Sequence, residues 1–340
     1  MIGGITSFFL SFIYGRLVTI RNFFYEAKIF STKSLKCKVI SIGNITVGGS
    51  GKTPTVEYIS NLLQSKGHKV GIISRGYKRK SKATLIVTDG RNKPESWEHV
   101  GDEPFLLAHK LDNIPIVVGS SKYESGSMIM ERFKPDVILI DDGFQHLSLN
   151  RDLDIVLVNS KDIKSDHKLI PLGKLREPIS NLNRADLIVI TKTNVHQPSN
   201  YLINKIESFN RPTIYNEIQI KDLLQYKSNE TNKLEKIANK KVYLFSALGD
   251  NESFKKIMEN THAEIVGHSK YLDHHHYTLN DLKDIEQKAI RCKAEFLITT
   301  EKDLVKINSQ YNKFDIYAVR MKMLFKPENL FSKYIEDLLS

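Results

Sequence analysis

The stretch that most limits what this chain can become is a glycine-rich turn set between an apolar strand and an amphipathic helix. Val39–Ile42 reads as the strand, Gly43-Asn44-Ile45-Thr46-Val47-Gly48-Gly49-Ser50-Gly51-Lys52-Thr53-Pro54 as the turn, and Thr55–Gln64 as the helix. Glycines let several backbone N–H groups converge on one anion, and the start of a helix adds the positive end of its dipole. In such a loop Thr46–Pro54 wrap a phosphate chain. Lys52 reaches its outer phosphates and the Thr53 hydroxyl holds Mg2+. The strict pattern has glycine where Thr46 stands, but Gly48 and Gly49 keep the loop permissive. A glycine-rich turn alone is usually only a turn, so an acidic partner is required.

Asp136-Val137-Ile138-Leu139-Ile140-Asp141-Asp142 supplies it, an apolar strand ending in two carboxylates. Buried acids are costly unless paired or bound to a metal, which gives Asp141 and Asp142 an electrostatic reason to sit at a strand tip. Ordinary capping of the strand end is the plainer alternative. In a doubly wound sheet both motifs lie at the carboxyl ends of strands, where ligands bind. Binding of MgATP or MgGTP follows.

The surrounding texture agrees. Short β-branched runs such as Lys69–Ser74, Ile114–Val118, Asp154–Val158 and Leu187–Ile190 alternate with amphipathic stretches such as Ser121–Phe133. That is the pattern of a mostly parallel sheet covered on both faces, an α/β, P-loop NTPase-like fold. Composition turns rich in Asn, Lys and Glu near 208–241, and a second, smaller α/β pattern follows. The expected organisation is an N-terminal helix over 1–30, a P-loop domain over 31–220, a linker over 221–241, a smaller α/β domain over 242–326 and a closing helix over 327–340.

With 50 Lys+Arg against 39 Asp+Glu the chain carries a net +11, which suits acidic or phosphorylated partners. The lysines are scattered and no nucleic-acid module is recognisable, so nucleic acid is not among the expected partners. The 2 cysteines, Cys37 and Cys292, make neither a disulfide framework nor a zinc motif. From Met1 to Ile20 the only charge is Arg16. Ser7, Ser11, Gly15, Thr19, Asn22 and Glu26 give that helix one small and polar stripe, and Phe8, Phe9, Phe12, Ile13, Phe23 and Phe24 fall on the rest. Membrane attachment, in the interface or barely spanning, is the expectation; a helix capping the protein's own core, or an oligomer contact, is the alternative.

Two groups bear on the phosphoryl chemistry. Gly101-Asp102-Glu103-Pro104 opens a helix with two carboxylates in its first turn, either stabilising the dipole or accepting the proton of an attacking hydroxyl. Asp273-His274-His275-His276-Tyr277 offers an Asp–His couple, with a structural or solvated role as the default. A GTPase would need Asp where Asn194 ends Thr191-Lys192-Thr193-Asn194. A P-loop ATPase or GTPase that regulates or assembles membrane partners is the competing class.

Taken together, Gly43-Asn44 with Gly48–Pro54, Ser74-Arg75-Gly76-Tyr77, Gly101–Pro104, Asp141-Asp142-Gly143-Phe144-Gln145-His146, Leu175-Arg176-Glu177-Pro178, Asp273-His274 and Thr300-Glu301-Lys302-Asp303 resemble the tetraacyldisaccharide 4′-kinase family, in the same order along the chain. Lys122 stands where the family commonly has Arg, and Phe245–Gly249 is a looser version of a more glycine-rich family stretch. The resemblance implies an ATP- and Mg2+-dependent enzyme on the cytoplasmic face of a Gram-negative inner membrane, in contact with anionic lipid and without an obligatory protein partner. Its implied reaction is transfer of the γ-phosphoryl group to the 4′-hydroxyl of a tetraacyldisaccharide 1-phosphate. It implies Lys52 and Thr53 on the phosphates and Mg2+, with Asp141, Asp142 and Glu177 at the metal. Asp102 would be the base, His274 its partner, and Arg75, Tyr77, Glu103, Gln145 and His146 would line the substrate cleft.

Overall fold

The computed structural model describes residues 2–307, 311 and 314–339, in two compact units. One comprises Met1–Glu217 with Met323–Ser340, the other Ile218–Lys322. Along the first, α1 (Ile2–Glu26) precedes β1 (Lys38–Asn44), α2 (Lys52–Ser65), β2 (Val70–Ser74), β3 (Leu85–Thr88) and α3 (Trp97–Val100). Then come α4 (Asp102–Lys110), β4 (Ile116–Val118), α5 (Lys122–Phe133), β5 (Val137–Asp141), β6 (Leu153–Asn159), β7 (Leu187–Thr191) and α6 (Asn200–Glu207). Strand β8 (Thr213–Gln225) runs on into the second unit, which holds β9 (Thr231–Asn232), β10 (Lys241–Ser246), α7 (Asn251–Glu259), β11 (Glu264–Lys270), α8 (Leu279–Arg291), β12 (Phe296–Thr300) and α9 (Glu301–Leu304). Strand β13 (Ile316–Lys326) leads back to the first unit and α10 (Glu328–Glu336).

In the first unit β1 is central, parallel to β5 on one side and β6 on the other. Strands β2 and β4 extend the β5 side in parallel, β3 closes that edge antiparallel, and β7 with the start of β8 extends the β6 side. Strands β5, β6 and β7 are buried along their whole length, as expected where helices cover both faces. The chain therefore changes direction across the sheet at β1, and the glycine-rich loop leaves that strand at its carboxyl end. Register places Asp141 beside Ile42, one residue before the loop begins.

Helix α1 turns its small, polar stripe inward. Ser11, Gly15, Val18 and Asn22 are buried, the Ser11 hydroxyl donates to the Leu169 carbonyl at 2.9 Å, and the Tyr14 hydroxyl donates to the Arg176 carbonyl at 2.5 Å. Thr19 and Glu26, expected on that stripe, are exposed. Phe8, Phe9, Leu10, Phe12, Ile13, Leu17, Ile20 and Phe23 are each about half exposed or more, and the Arg16 guanidinium lies 5.1 Å over the Phe12 ring. Among the described residues no helix is long and apolar enough to cross a membrane.

The second unit is a parallel sheet of β11, β10, β12 and β13, in that order. One face packs Phe245, Leu282, Ile285 and Leu297, the other Leu244, Phe254, Met258 and Ile298. Residues 221–241, expected as a linker, instead carry the end of β8 and its antiparallel partner β9, with Leu223 and Ile237 fully buried. Their polar composition is that of a sheet edge, with a few apolar anchors turned inward. Helix α10 belongs to the first unit, where Phe331 stacks on Phe325 at 3.9 Å and lies 5.8 Å from Tyr58 of α2.

The exit from β1 leaves no room beside it. A Cβ on Gly43 would fall 2.5 Å from the Phe144 Cβ and 2.8 Å from its backbone nitrogen. Gly43→Ala should therefore cost about 1–3 kcal/mol of unfolding free energy. Gly67→Ala, where nothing lies within 4 Å of the new carbon, should cost only the strain of its left-handed backbone, and urea denaturation of both variants checks the order.

Candidate active site

The loop between β1 and α2 is shaped by backbone that side chains resist: Gly48 has φ +118° and Gly51, which caps α2, has φ +88°. The Asn44 amide braces it from beneath, donating to the Thr46 carbonyl at 2.6 Å and the Ser50 hydroxyl at 2.9 Å. On the outer side the Val47 N–H donates to the Lys174 carbonyl at 2.8 Å, and Thr46 bridges to Leu175. Gly48 and Gly49 thus line an open turn, and Lys52, Thr53 and Pro54 form the first turn of α2. That is the arrangement the spacing of glycines led us to expect.

Facing the loop is the end of β5. The Lys52 ammonium lies 3.6 Å from Asp142, whose carboxylate also accepts two bonds from the Arg176 guanidinium, at 2.7 and 3.1 Å. Burial opposes ionisation of Asp142, but the Lys52 and Arg176 charges outweigh it and hold the carboxyl well below the usual carboxylate range. Asp142 itself sits in left-handed backbone, φ +56°, which turns it away from its neighbour.

Asp141 has the opposite environment. It is 1% exposed; its Oδ2 accepts from the Ser74 hydroxyl at 3.3 Å, and its Oδ1 is buried with no hydrogen-bond partner. Burial, then the negative charges of Glu103 and Asp142, push this carboxyl up to about 7, against the pull of Lys122 and Lys52. Lys122, fully enclosed at the start of α5, donates to the Asp141 backbone carbonyl at 3.1 Å, and burial pushes its ammonium down to about 8. A buried carboxylate oxygen without a hydrogen-bond partner, beside an anion-shaped loop, fits a cation ligand. Asp141 is the better candidate ligand, since Asp142 is already engaged by two cations. Among the described residues no three His, Cys, Asp or Glu side chains form a metal cage. Mg2+ does not need one, because one or two carboxylates with substrate phosphates and waters satisfy it.

Asp102 and Glu103 open α4 from an unusually tight junction. Gly76, φ +65°, and Gly101, φ +97°, lie back to back, and a Cβ on Gly101 would meet Gly76 Cα at 2.9 Å. This brings the loop carrying Arg75 and Tyr77, both exposed, against the turn carrying Asp102. Asp102 is 4% exposed and accepts the Glu103 N–H at 3.0 Å. Glu103 is close enough to Asp141 and Lys122 to shift both, so these acids and cations form one electrostatic cluster.

Two expected residues, Glu177 and Gln145, have structural duties. Glu177, expected at the metal, is fully buried with both oxygens engaged: Gln145 donates to one at 2.6 Å, Asn181 and Arg184 to the other at 2.7 and 2.6 Å. Its geometry is that of a buttress. Gln145 also donates to the Asn44 carbonyl at 2.9 Å, tying Glu177 to the base of the loop. His146 is mostly enclosed, and burial pushes its ring down to about 3, so it is neutral at physiological pH. The sequence reading had no role for Arg176, Lys122 or Ser74; Arg176 stood beside Glu177 in a block whose charged residues were the available signal.

In the second unit the His274 ring lies 3.7 Å from Asp273, and the Lys302 ammonium reaches Asp273 at 3.3 Å and His274 at 3.4 Å. Asp303, fully buried, accepts the Ala247 N–H and the Thr300 hydroxyl, which fixes the turn presenting Lys302. His275 is occupied elsewhere, paired with Asp281 at 3.1 Å and stacked on Tyr271.

Residues 6–340 match the family described as LpxK, tetraacyldisaccharide-1-P 4′-kinase. A tetraacyldisaccharide 4′-kinase of Aquifex aeolicus is 37% identical over 325 residues, 96% of each chain. One of Bdellovibrio bacteriovorus is 34% identical over 307 residues, 89% of each. The crystal structure of the "apo" form of LpxK from Aquifex aeolicus in complex with ATP superposes with a TM-score of 0.78 at 35% identity, covering 97% of this chain and 98% of that one.

Removing the buttress separates its role from a metal role. Glu177→Ala leaves the Arg184 guanidinium without its partner and should cost about 3–5 kcal/mol of unfolding free energy. Glu177→Gln should be milder, with the divalent-metal concentration for half-maximal turnover unchanged; a shift of that midpoint would put Glu177 back at the metal.

Proposed function

Because this chain belongs to the tetraacyldisaccharide-1-P 4′-kinase family, we propose that it transfers the γ-phosphoryl group of ATP to the 4′-hydroxyl of a tetraacylated glucosamine disaccharide 1-phosphate, giving lipid IVA. The observation that carries this reading is the facing of the Gly48–Thr53 loop and the Asp141–Asp142 strand end, with Lys52 3.6 Å from Asp142. The family match favours this over the regulatory ATPase or GTPase reading, and Asn194 stands where guanine selection wants a carboxylate.

Lys52 exchanges its contact with Asp142 for the β- and γ-phosphates, while Arg176 keeps Asp142 charged and in place. Thr53 and Asp141 would hold Mg2+, which supplies neutralisation of the phosphate oxygens. Asp102, held at the first turn of α4, takes or orients the proton of the attacking hydroxyl. Arg75 and Tyr77, from the adjoining loop, and Glu103, beside Asp102 in α4, border the acceptor. His274, with Lys302 at 3.4 Å as its neighbour, is the other residue that the family resemblance marks for turnover.

A lipid with four acyl chains stays in the bilayer, since each buried methylene is worth ~0.8 kcal/mol. The apolar outer face of α1, with Arg16 beside Phe12, is suited to lie in the interface of the inner membrane, and the net +11 favours anionic lipid.

Purified disaccharide 1-phosphate, γ-labelled ATP and Mg2+ in detergent should yield a labelled lipid; ATP hydrolysis indifferent to the lipid would instead support the regulatory reading. Asp102→Ala should lower kcat about 10²–10⁴-fold with MgATP affinity changed less than about twofold. Lys52→Ala should cripple both. Phe12→Glu with Leu17→Glu should release the protein from anionic vesicles in a sedimentation assay without loss of ATP binding.

A further inference from the structure

Lys192 takes no part in the scheme above, yet its ammonium reaches the middle of the phosphate loop. Its Nζ donates to the Gly49 carbonyl at 2.7 Å, and the residue is 7% exposed. It follows directly on β7 and adopts left-handed backbone, φ +63°, uncommon for a residue with a Cβ. Ser160 fixes that turn: its N–H donates to the Thr191 carbonyl at 3.0 Å and its hydroxyl to the Lys192 carbonyl at 3.1 Å. Asn159, at the end of β6, points its amide at the same Gly49 oxygen from 3.5 Å. Two neighbouring strand ends thus converge on one carbonyl of the loop.

The orientation of that peptide decides whether the loop attracts or repels an anion. In a trans peptide the C=O and the following N–H point in opposite directions, so a Gly49 carbonyl drawn outward turns the Ser50 N–H the other way. Rotation of this peptide turns about ψ of Gly49, which has no Cβ to oppose it, and φ of Ser50, and the rotated form would aim a carbonyl oxygen at the phosphates. In the conformation described here the Ser50 N–H closes a tight turn onto the Gly48 carbonyl at 3.0 Å, and a phosphate oxygen offers it a charged acceptor in exchange. The peptide has two settings, and only one suits a nucleotide.

We propose that Lys192 is a positioning residue for the nucleotide: by gripping the Gly49 carbonyl it holds the loop in the setting that presents N–H groups to the phosphate chain. The proposal rests on the kinase reading only for the identity of the nucleotide. Its signature is selective: what Lys192 secures is felt by the outer phosphates and not by the nucleoside.

The test uses the full chain, with Mg2+ and no lipid. ATP, ADP and AMP are titrated by competition against a fluorescent ATP analogue, for the protein and for Lys192→Met and Lys192→Arg. Loss of one charge-assisted hydrogen bond should weaken ATP and ADP about tenfold in Lys192→Met and leave AMP unchanged. Lys192→Arg should recover most of the loss. In turnover the defect should fall on the KM for ATP, with kcat changed less than about twofold. An equal loss for all three nucleotides, no loss for any, or a fall in kcat at unchanged KM overturns the proposal. Should Lys192→Met fail to fold by its thermal melt, Lys192→Gln carries the same comparison. Because binding is read without lipid, a protein that binds ATP but phosphorylates no disaccharide would sink the kinase reading and leave this result standing.

Discussion

Two adjacent carboxylates at the tip of one buried strand cannot share the same surroundings and both remain charged, and the first unit is arranged around that constraint. Asp142 receives Lys52 and the Arg176 fork and stays ionised. Asp141 is buried beside a serine hydroxyl, and burial first, then the close charge of Glu103, raises its carboxyl to about 7. Like charges are thus set apart by environment, with one acid supporting the loop lysine and the other keeping an oxygen uncommitted. Fully buried Lys122 would be an expensive cation anywhere else; here the field of these acids offsets part of its burial.

The same strand end is connected to helix α1. Arg176 holds Asp142 with its side chain and accepts the Tyr14 hydroxyl of α1 with its carbonyl. One residue on, Glu177 ties Arg184 and Asn181 to Gln145, and Gln145 reaches the Asn44 carbonyl at the base of the loop. Helix α1 therefore rests on the framework that shapes the phosphate site. Its small residues serve that contact: a Cβ on Gly15 would strike Leu169 at 2.6 Å.

What was legible in the sequence was what is local. The loop glycines, Lys52, Thr53 and the paired acids signal themselves by spacing along a single strand–turn or turn–helix joint. The inward stripe of α1 follows from helical period, except where Val18 replaces the expected Thr19 by a small rotation of the face. Partnerships across long separations were hidden: Lys192 and Gly49 are 143 positions apart, and Glu177 gave no sign that Gln145 would occupy it. Segment 221–241 misled for a related reason. A sheet edge is polar at most positions, and the two fully buried side chains that anchor it, Leu223 and Ile237, are too sparse to set a pattern.

The return of β13 and α10 to the first unit has a consequence for biogenesis. Phe325 and Phe331 pack against Tyr58 of α2, so the helix behind the phosphate loop waits for residues made after the whole 218–322 unit. During synthesis, at about 5–20 residues per second, the 218–322 unit leaves the ribosome before the catalytic unit can close. The first unit is thus begun before the 218–322 unit and closed after it, which leaves the nascent chain with an open core for several seconds.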